Sequence, residues 1–250
     1  MPPLALHMGI AKELADGLRH PTLEADLGAY YLGSTTPDIR VLTRWERHRT
    51  HFFDLNEFGH QDGVAALFGE HPELADPSGL NPSTRSFVAG YVSHLVMDEV
   101  WIEDIYRPFF GQRSSLGGDA RANVLDRVLQ YELDRQERTK REIMEQVRQE
   151  LAASALEIYV GFIDTETLRR WRDISVEVAA HAPDWASFRY LASRHLKAYG
   201  IGTPEAVEEF IEGVPEMLSE TVRLVGRDRI QAFLDRSRSD TLRVIKDYLS

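Results

Sequence analysis

The stretch Ser83-Thr-Arg-Ser-Phe87-Val-Ala-Gly90-Tyr91-Val-Ser-His94-Leu-Val-Met-Asp98-Glu-Val-Trp101-Ile102-Glu103-Asp104-Ile-Tyr106 decides the fold. Phe87, Tyr91, His94, Asp98 and Trp101 or Ile102 recur at three- and four-residue steps, which predicts a helix over residues 83–106 with these side chains on one stripe. Pro82 suits a helix start, and Ser83 with Ser86 offers a cap. His94 and Asp98 are four residues apart, so their side chains stand roughly 6 Å apart on the aromatic face. An imidazole and a carboxylate on a face meant for the core cost free energy unless they are paired or coordinated. A metal ion between them satisfies both, and so does a direct His–Asp hydrogen bond.

Outward from this helix, the chain has almost no β-branched period-two runs. Leu6, Ile10, Leu14 and Leu18 mark a first helix over residues 4–18. A second is predicted from Leu23 to Leu32, closed by Gly33 and a loop through Asp38. Residues 39–60, crowded with Arg, His and aromatics, read as a loop with helical turns. A helix is expected over 63–70, before Pro72, Pro77, Gly79 and Pro82 break the chain, and a long charged helix runs from Ala120 towards Ala153. Further helices are expected near 165–180, 184–198, 204–223 and 227–248, with start signals at Asp164-Thr165, Pro183-Asp184 and Thr203-Pro204. The expected fold is one all-α domain over residues 1–250, a core in 1–135 with a helical extension in 136–250.

Bulk composition narrows the function. The chain is 250 residues long, 43% hydrophobic and 28% charged, as in ordinary globular proteins. Its net charge of −11 repels phosphate backbones and argues against duplex nucleic acid as a partner. With no cysteine, any metal must be held by nitrogen and oxygen. No basic-then-apolar leader and no transmembrane run is visible, so a cytoplasmic protein is expected.

Other residues could join His94 and Asp98. Asp38 ends the loop Gly33-Ser-Thr-Thr-Pro-Asp38-Ile-Arg40, although an acid after proline also serves as a helix cap. Arg47-His48-Arg49-Thr50-His51-Phe52-Phe53 holds two histidines three residues apart, so either could be a ligand; the aromatic pair after His51 favours His51 inward and His48 outward. His7 lies among Leu4, Leu6 and Ile10, where a histidine is either a core residue or a ligand. His20, His60 and His71 adjoin turns and read as surface residues, and His181 and His195 read as non-ligands. Arg40, Arg44, Arg47 and Arg49 bracket the loop; Arg40 and Arg47 are candidates for holding a phosphate, and a solvated basic rim is the alternative. There is no Walker loop, nucleophile elbow or dinucleotide fingerprint.

An early His in a first helix, a Gly-Ser-x-x-Pro-Asp-Ile loop, an Arg-x-Thr-His-Phe segment and a Gly-Tyr-x-x-His-x-x-x-Asp helix follow in that order. In this the chain resembles the zinc-dependent phospholipase C family, whose helical fold is shared with single-strand-specific zinc nucleases. The resemblance spans roughly residues 4–106. It implies a phospholipase C-like bundle with Asp38, His51, His94 and Asp98 around one ion. His7 would serve a second ion, and Asp38 would be the base that activates water. The chain departs from the family where further histidines are expected: after Asp98 stand Ile102, Glu103 and Asp104, and downstream stand Glu132 and Asp134. Either Glu103 or Asp104 with Glu132 or Asp134 forms an oxygen-rich second site, or one metal remains.

The functional expectation is a zinc-dependent hydrolase, with one to three ions, acting on a phospholipid, a nucleotide or another small phosphoester through metal-activated water. Iron or manganese are the alternative metals. The rival readings are a non-catalytic metal-binding protein of the same fold and an iron enzyme on the same cradle.

Overall fold

Helix α7, Pro82–Trp101, buries side chains on every face: Val88, Ala89, Val92, Leu95, Val96 and Val100 are buried as well as Phe87 and Tyr91. A helix that is apolar all round belongs in the middle of a protein, and α7 is the post around which the computed structural model is built. That model describes residues 3–54, 59, 61–185 and 201–250, and among them there is no strand. The fold is all-helical.

Around α7 lie α1 (Leu4–Leu18), α2 (Pro21–Ala25), α3 (Leu27–Thr35), a 3-10 turn (Thr36–Ile39), α4 (Arg40–Thr43), α5 (His48–His51) and α6 (Gly63–Glu70). After α7 follow a π-helical segment (Ile102–Phe110), α8 (Ala120–Thr139), α9 (Arg141–Ala153), α10 (Thr165–Ala180), α11 (Pro204–Val225) and α12 (Arg227–Leu249). Helices α3 and α12 pack directly on α7; α9 covers α3, α10 covers α9, and α11 lies on α8. Residues 136–250 therefore reach the central helix itself: Phe233 of α12 meets Trp101 edge to face at 5.0 Å.

Several boundaries differ from the sequence expectation for local reasons. The expected helix over 23–32 is two helices, because Asp26 leaves the helical conformation to cap α3, its Oδ1 accepting from Ala29 N at 2.8 Å. Ser83 and Ser86 do not cap α7. Asn81 does, accepting from Thr84 N at 2.7 Å, while the serine hydroxyls donate to Asp26 Oδ2 and Asp26 O. The α-helix ends at Trp101, ahead of Pro108, which has no N–H to extend an α-helical ladder. The long charged helix turns at Lys140 (φ −80°, ψ 63°), which brings α9 back over α3. The helices over 4–18, 63–70 and 165–180 have the expected bounds, and those expected over 204–223 and 227–248 are α11 and α12. Most of the helix expected over 184–198, together with His60 and His195, lies outside the described residues.

Gly33 does not close α3. Helix α3 continues to Thr35, and Gly33 instead sits at the crossing with α7. A Cβ on Gly33 would lie 2.0 Å from the Phe87 carbonyl oxygen, and one on Gly90 would lie 2.0 Å from that of Tyr30. Each glycine removes the side chain that would hold the other backbone away. The end of α3 is thereby drawn against the face of α7 that carries His94.

A candidate metal centre

The five ligand candidates come from four elements, and each element is fixed by its own contacts. His94 and Asp98 face inward from α7. The glycine crossing brings the Ser34 carbonyl to 2.8 Å from His94 Nδ1. A carbonyl only accepts, so Nδ1 carries the proton and Nε2 keeps its lone pair for the centre. Behind Ser34, Trp171 of α10 donates from Nε1 to Thr35 Oγ1 at 3.1 Å and steadies the end of α3.

His51 ends α5. That short helix is held by Tyr91 of α7, whose hydroxyl donates to Thr50 O at 2.5 Å. His51 Nδ1 lies 3.0 Å from Thr50 Oγ1, and Thr50 Oγ1 in turn donates to Arg47 O. The hydroxyl proton is thus given away, so Thr50 accepts from His51 Nδ1 and Nε2 is again free. The next residue, Phe52, adopts a left-handed conformation (φ 56°) that a bulky side chain enters only under strain. Its ring is locked among Tyr91, His71 and Phe162.

His7 lies on the buried face of α1, which the distant Asp134 ties down. Asp134 Oδ1 accepts from Ala5 N at 2.8 Å, and its Oδ2 accepts from Arg138 Nε at 2.6 Å. His7 stacks on His94 with centroids 3.8 Å apart and planes 8° from parallel. Burial, together with the neighbouring His94, lowers the His7 pKa, so two stacked cations are avoided. Asp38 comes from the 3-10 turn after α3.

The four elements converge on one point. His51 Nε2 is 3.3 Å from Asp98 Oδ2 and 3.5 Å from Asp38 Oδ1; His94 Nε2 is 3.5 Å from Asp98 Oδ2. His7 Nε2 faces the other carboxylate oxygen, Asp98 Oδ1, at 3.6 Å. His7 Nδ1 and Nε2, His51 Nε2, His94 Nε2 and Asp98 Oδ1 are buried with no hydrogen-bond partner. Leaving so many polar atoms unsatisfied in one place costs about 1–3 kcal/mol each. Bonds of about 2.0–2.1 Å put neighbouring ligands of a tetrahedral ion roughly 3.3–3.4 Å apart. The spacings between donors match that figure, and two sets of three, His7/His94/Asp98 and Asp38/His51/His94, could each hold an ion.

The electrostatics suit a cation. Burial alone would raise the carboxyl pKa values, but the facing imidazoles outweigh it. His51 and His94 hold Asp38, and His94, His51 and His7 hold Asp98, below the usual carboxylate range. Arg47, just before α5, donates from Nη2 to Asp98 Oδ2 at 3.2 Å. Burial lowers its pKa to about 10 against the pull of Asp98 and Asp38, which leaves it cationic at neutral pH. The side chains of His7, His51, His94 and Asp98 are fully enclosed, whereas Asp38 is 19% and Arg47 13% exposed. The centre therefore meets solvent at Asp38 and Arg47.

Other candidates are placed elsewhere. Glu103 and Asp104 both pair with Arg236 of α12 at 2.8 Å. Glu132 binds Arg135 and Gln136, and Asp134 serves α1 as described. None of these four acids joins either set of three. Arg40 turns to the Trp45 carbonyl, and Arg49 stacks on the Trp45 ring at 3.8 Å. His48 is exposed. His20 caps α2 and His71 stacks on Phe162 at 4.4 Å, so both are half-buried and carry packing roles. Sequence reasoning missed Ser34 and Thr50, since a carbonyl and a hydroxyl that orient imidazoles leave no spacing signal. Among the described residues no helix is long and apolar enough to cross a membrane. Comparison with protein-family models, curated proteins and solved structures finds no match for this chain.

Proposed function

We propose that His7, Asp38, His51, His94 and Asp98 form a zinc centre that hydrolyses a small phosphate ester. The observation that carries this reading is that the Nε2 atoms of His7, His51 and His94 and Asp98 Oδ1 are buried without hydrogen-bond partners, with carboxylate oxygens of Asp38 and Asp98 3.3–3.6 Å from those nitrogens. Nitrogen and oxygen donors in a tetrahedral spacing suit zinc. Asp38, His51, His94 and Asp98 Oδ2 would hold one ion, and His7 with Asp98 Oδ1 would reach a second. The chain order of these residues supports a phospholipase C-like bundle.

When bound, zinc supplies a Lewis acid that polarises a phosphoryl oxygen and makes water acidic near neutral pH. The protein's own part falls to Asp38. It is ionised at neutral pH and is the ligand candidate that reaches solvent. Hydrolysis forms a bond from the water oxygen to phosphorus and breaks the ester P–O bond. Asp38 accepts the water proton and returns it to the leaving alcohol. Ser34 and Thr50 hold the two imidazoles in the tautomer that leaves Nε2 free.

A chelator-reversible assay on generic phosphomonoesters and phosphodiesters tests this reading, alongside elemental analysis of the protein purified under reducing conditions. Zinc with turnover that chelator abolishes and added zinc restores is expected. Zinc without turnover would leave a binding protein, and bound iron would point to a redox enzyme on the same cradle. The separate engagement of Glu103, Asp104, Glu132 and Asp134 favours one or two ions over three.

A further inference from the structure

Arg47 differs from the arginines around it. Arg40 and Arg49 are spent on Trp45, whereas Arg47 turns inward, its guanidinium lying over the Phe53 ring at 4.8 Å. A guanidinium has five N–H donors. Nη2 gives one to Asp98 at 3.2 Å, while Nε is buried with no hydrogen-bond partner. A cation with an unmet donor thus stands at the opening of the centre, beside the carboxylate of Asp38, which reaches solvent and is 19% exposed.

Charge completes the argument. Asp38 and Asp98 bring two negative charges, Arg47 brings one positive charge, and imidazoles that ligate a metal are neutral and bring none. A divalent ion turns that small negative excess into a positive one. In a space where the side chains of His7, His51, His94 and Asp98 are shut from water, such an excess is costly until an anion enters.

We propose that Arg47 is the anion-recognising residue of this centre, binding a non-bridging oxygen of the substrate's phosphoryl group while Phe53 fixes the plane of its guanidinium. The proposal rests on the metal-centre reading above and deepens it by naming the group that selects an anionic oxyacid ester over a neutral ester or amide. A rigid planar fork suits a tetrahedral oxyanion better than the point charge of a lysine.

The test is calorimetric titration of inorganic phosphate into zinc-loaded wild type, Arg47→Ala, Arg47→Lys and the control Arg49→Ala, with zinc stoichiometry measured on each. Wild type and Arg49→Ala are expected to bind phosphate equally. Arg47→Ala should bind at least about 10-fold more weakly, in line with losing a charge-assisted hydrogen bond. Arg47→Lys, which keeps a cation beside Asp98, should fall between them, and zinc content should be the same in all. Phosphate affinity unchanged in both Arg47 variants would overturn the proposal. So would loss of zinc from both, because Arg47 would then serve only to hold Asp98. Failure of wild type to take up zinc would sink the metal reading instead. Phosphate titration of that metal-free protein would then judge Arg47 separately: binding abolished in Arg47→Ala supports its role, and no binding by wild type overturns it.

Discussion

His94 Nδ1 lies 2.8 Å from the Ser34 carbonyl oxygen, a contact that joins the crossing of two helices to the tautomer of a candidate ligand. It exists because Gly33 and Gly90 let α3 and α7 approach until backbone meets backbone. Packing and chemistry are therefore coupled at this crossing.

Gly90→Ala should be severe. Its Cβ would stand 2.0 Å from the Tyr30 carbonyl oxygen, within rigid helical backbone, so the helices must separate. Urea denaturation should show a loss of about 3 kcal/mol, the upper range for overpacking. A loss under about 0.5 kcal/mol would mean that the crossing is looser than described.

Thr50→Val removes the acceptor that orients His51 while keeping the side-chain shape. Outer partners of ligating histidines typically contribute roughly 10–100-fold in metal affinity. A competition titration should show zinc binding at least about 10-fold weaker, with a stability loss of about 1–3 kcal/mol from the unpaired His51 Nδ1. Unaltered affinity would exclude His51 as a ligand oriented in this way.

Asp134→Asn separates two roles for one acid. As the anchor of α1 and partner of Arg138, Asp134 should cost about 3 kcal/mol when neutralised, because Arg138 stays buried without its countercharge. Zinc stoichiometry at saturation should be unchanged. Loss of an ion without loss of stability would place Asp134 among the ligands.

Much of this was legible in the sequence, and the limits have physical causes. The buried face of α1 and the inward His94 and Asp98 follow from periodicity, which local geometry enforces. The turn at Lys140 was invisible because the charged, helix-favouring pattern continues across it. Gly33 read as a terminator because a glycine near a helix end usually is one, and its other use depends on a helix some sixty residues away. Arg40 and Arg47 could not be told apart by composition; what separates them is that Trp45 takes the first and Asp98 the second. Asp134 looked like a ligand because its partner, Ala5 N, is a backbone group with no sequence signature.

Glu99, next to Asp98 on α7, gives a pH prediction. Burial raises its pKa from 4.5 to about 7, against the hydrogen bond from Gly63 N. A raised carboxyl favours the proton-bound folded state, so its contribution is fully present below about 4.5 and is lost as pH rises through about 7. In chelator-treated protein, Glu99→Gln should remove this slope and be more stable than wild type at pH 8, by an amount on the order of 3 kcal/mol. Parallel stability–pH curves for the two proteins would contradict it.

The central claim is that the cluster around Asp98 binds metal, and equilibrium dialysis against zinc followed by elemental analysis tests it most directly. Wild type should retain at least one equivalent, and Asp98→Ala, which loses both carboxylate oxygens facing the histidines and keeps only the Asp38/His51/His94 set, should retain less zinc than wild type while keeping its helical circular dichroism. Full zinc occupancy in a folded Asp98→Ala protein, or none in wild type, would contradict the account.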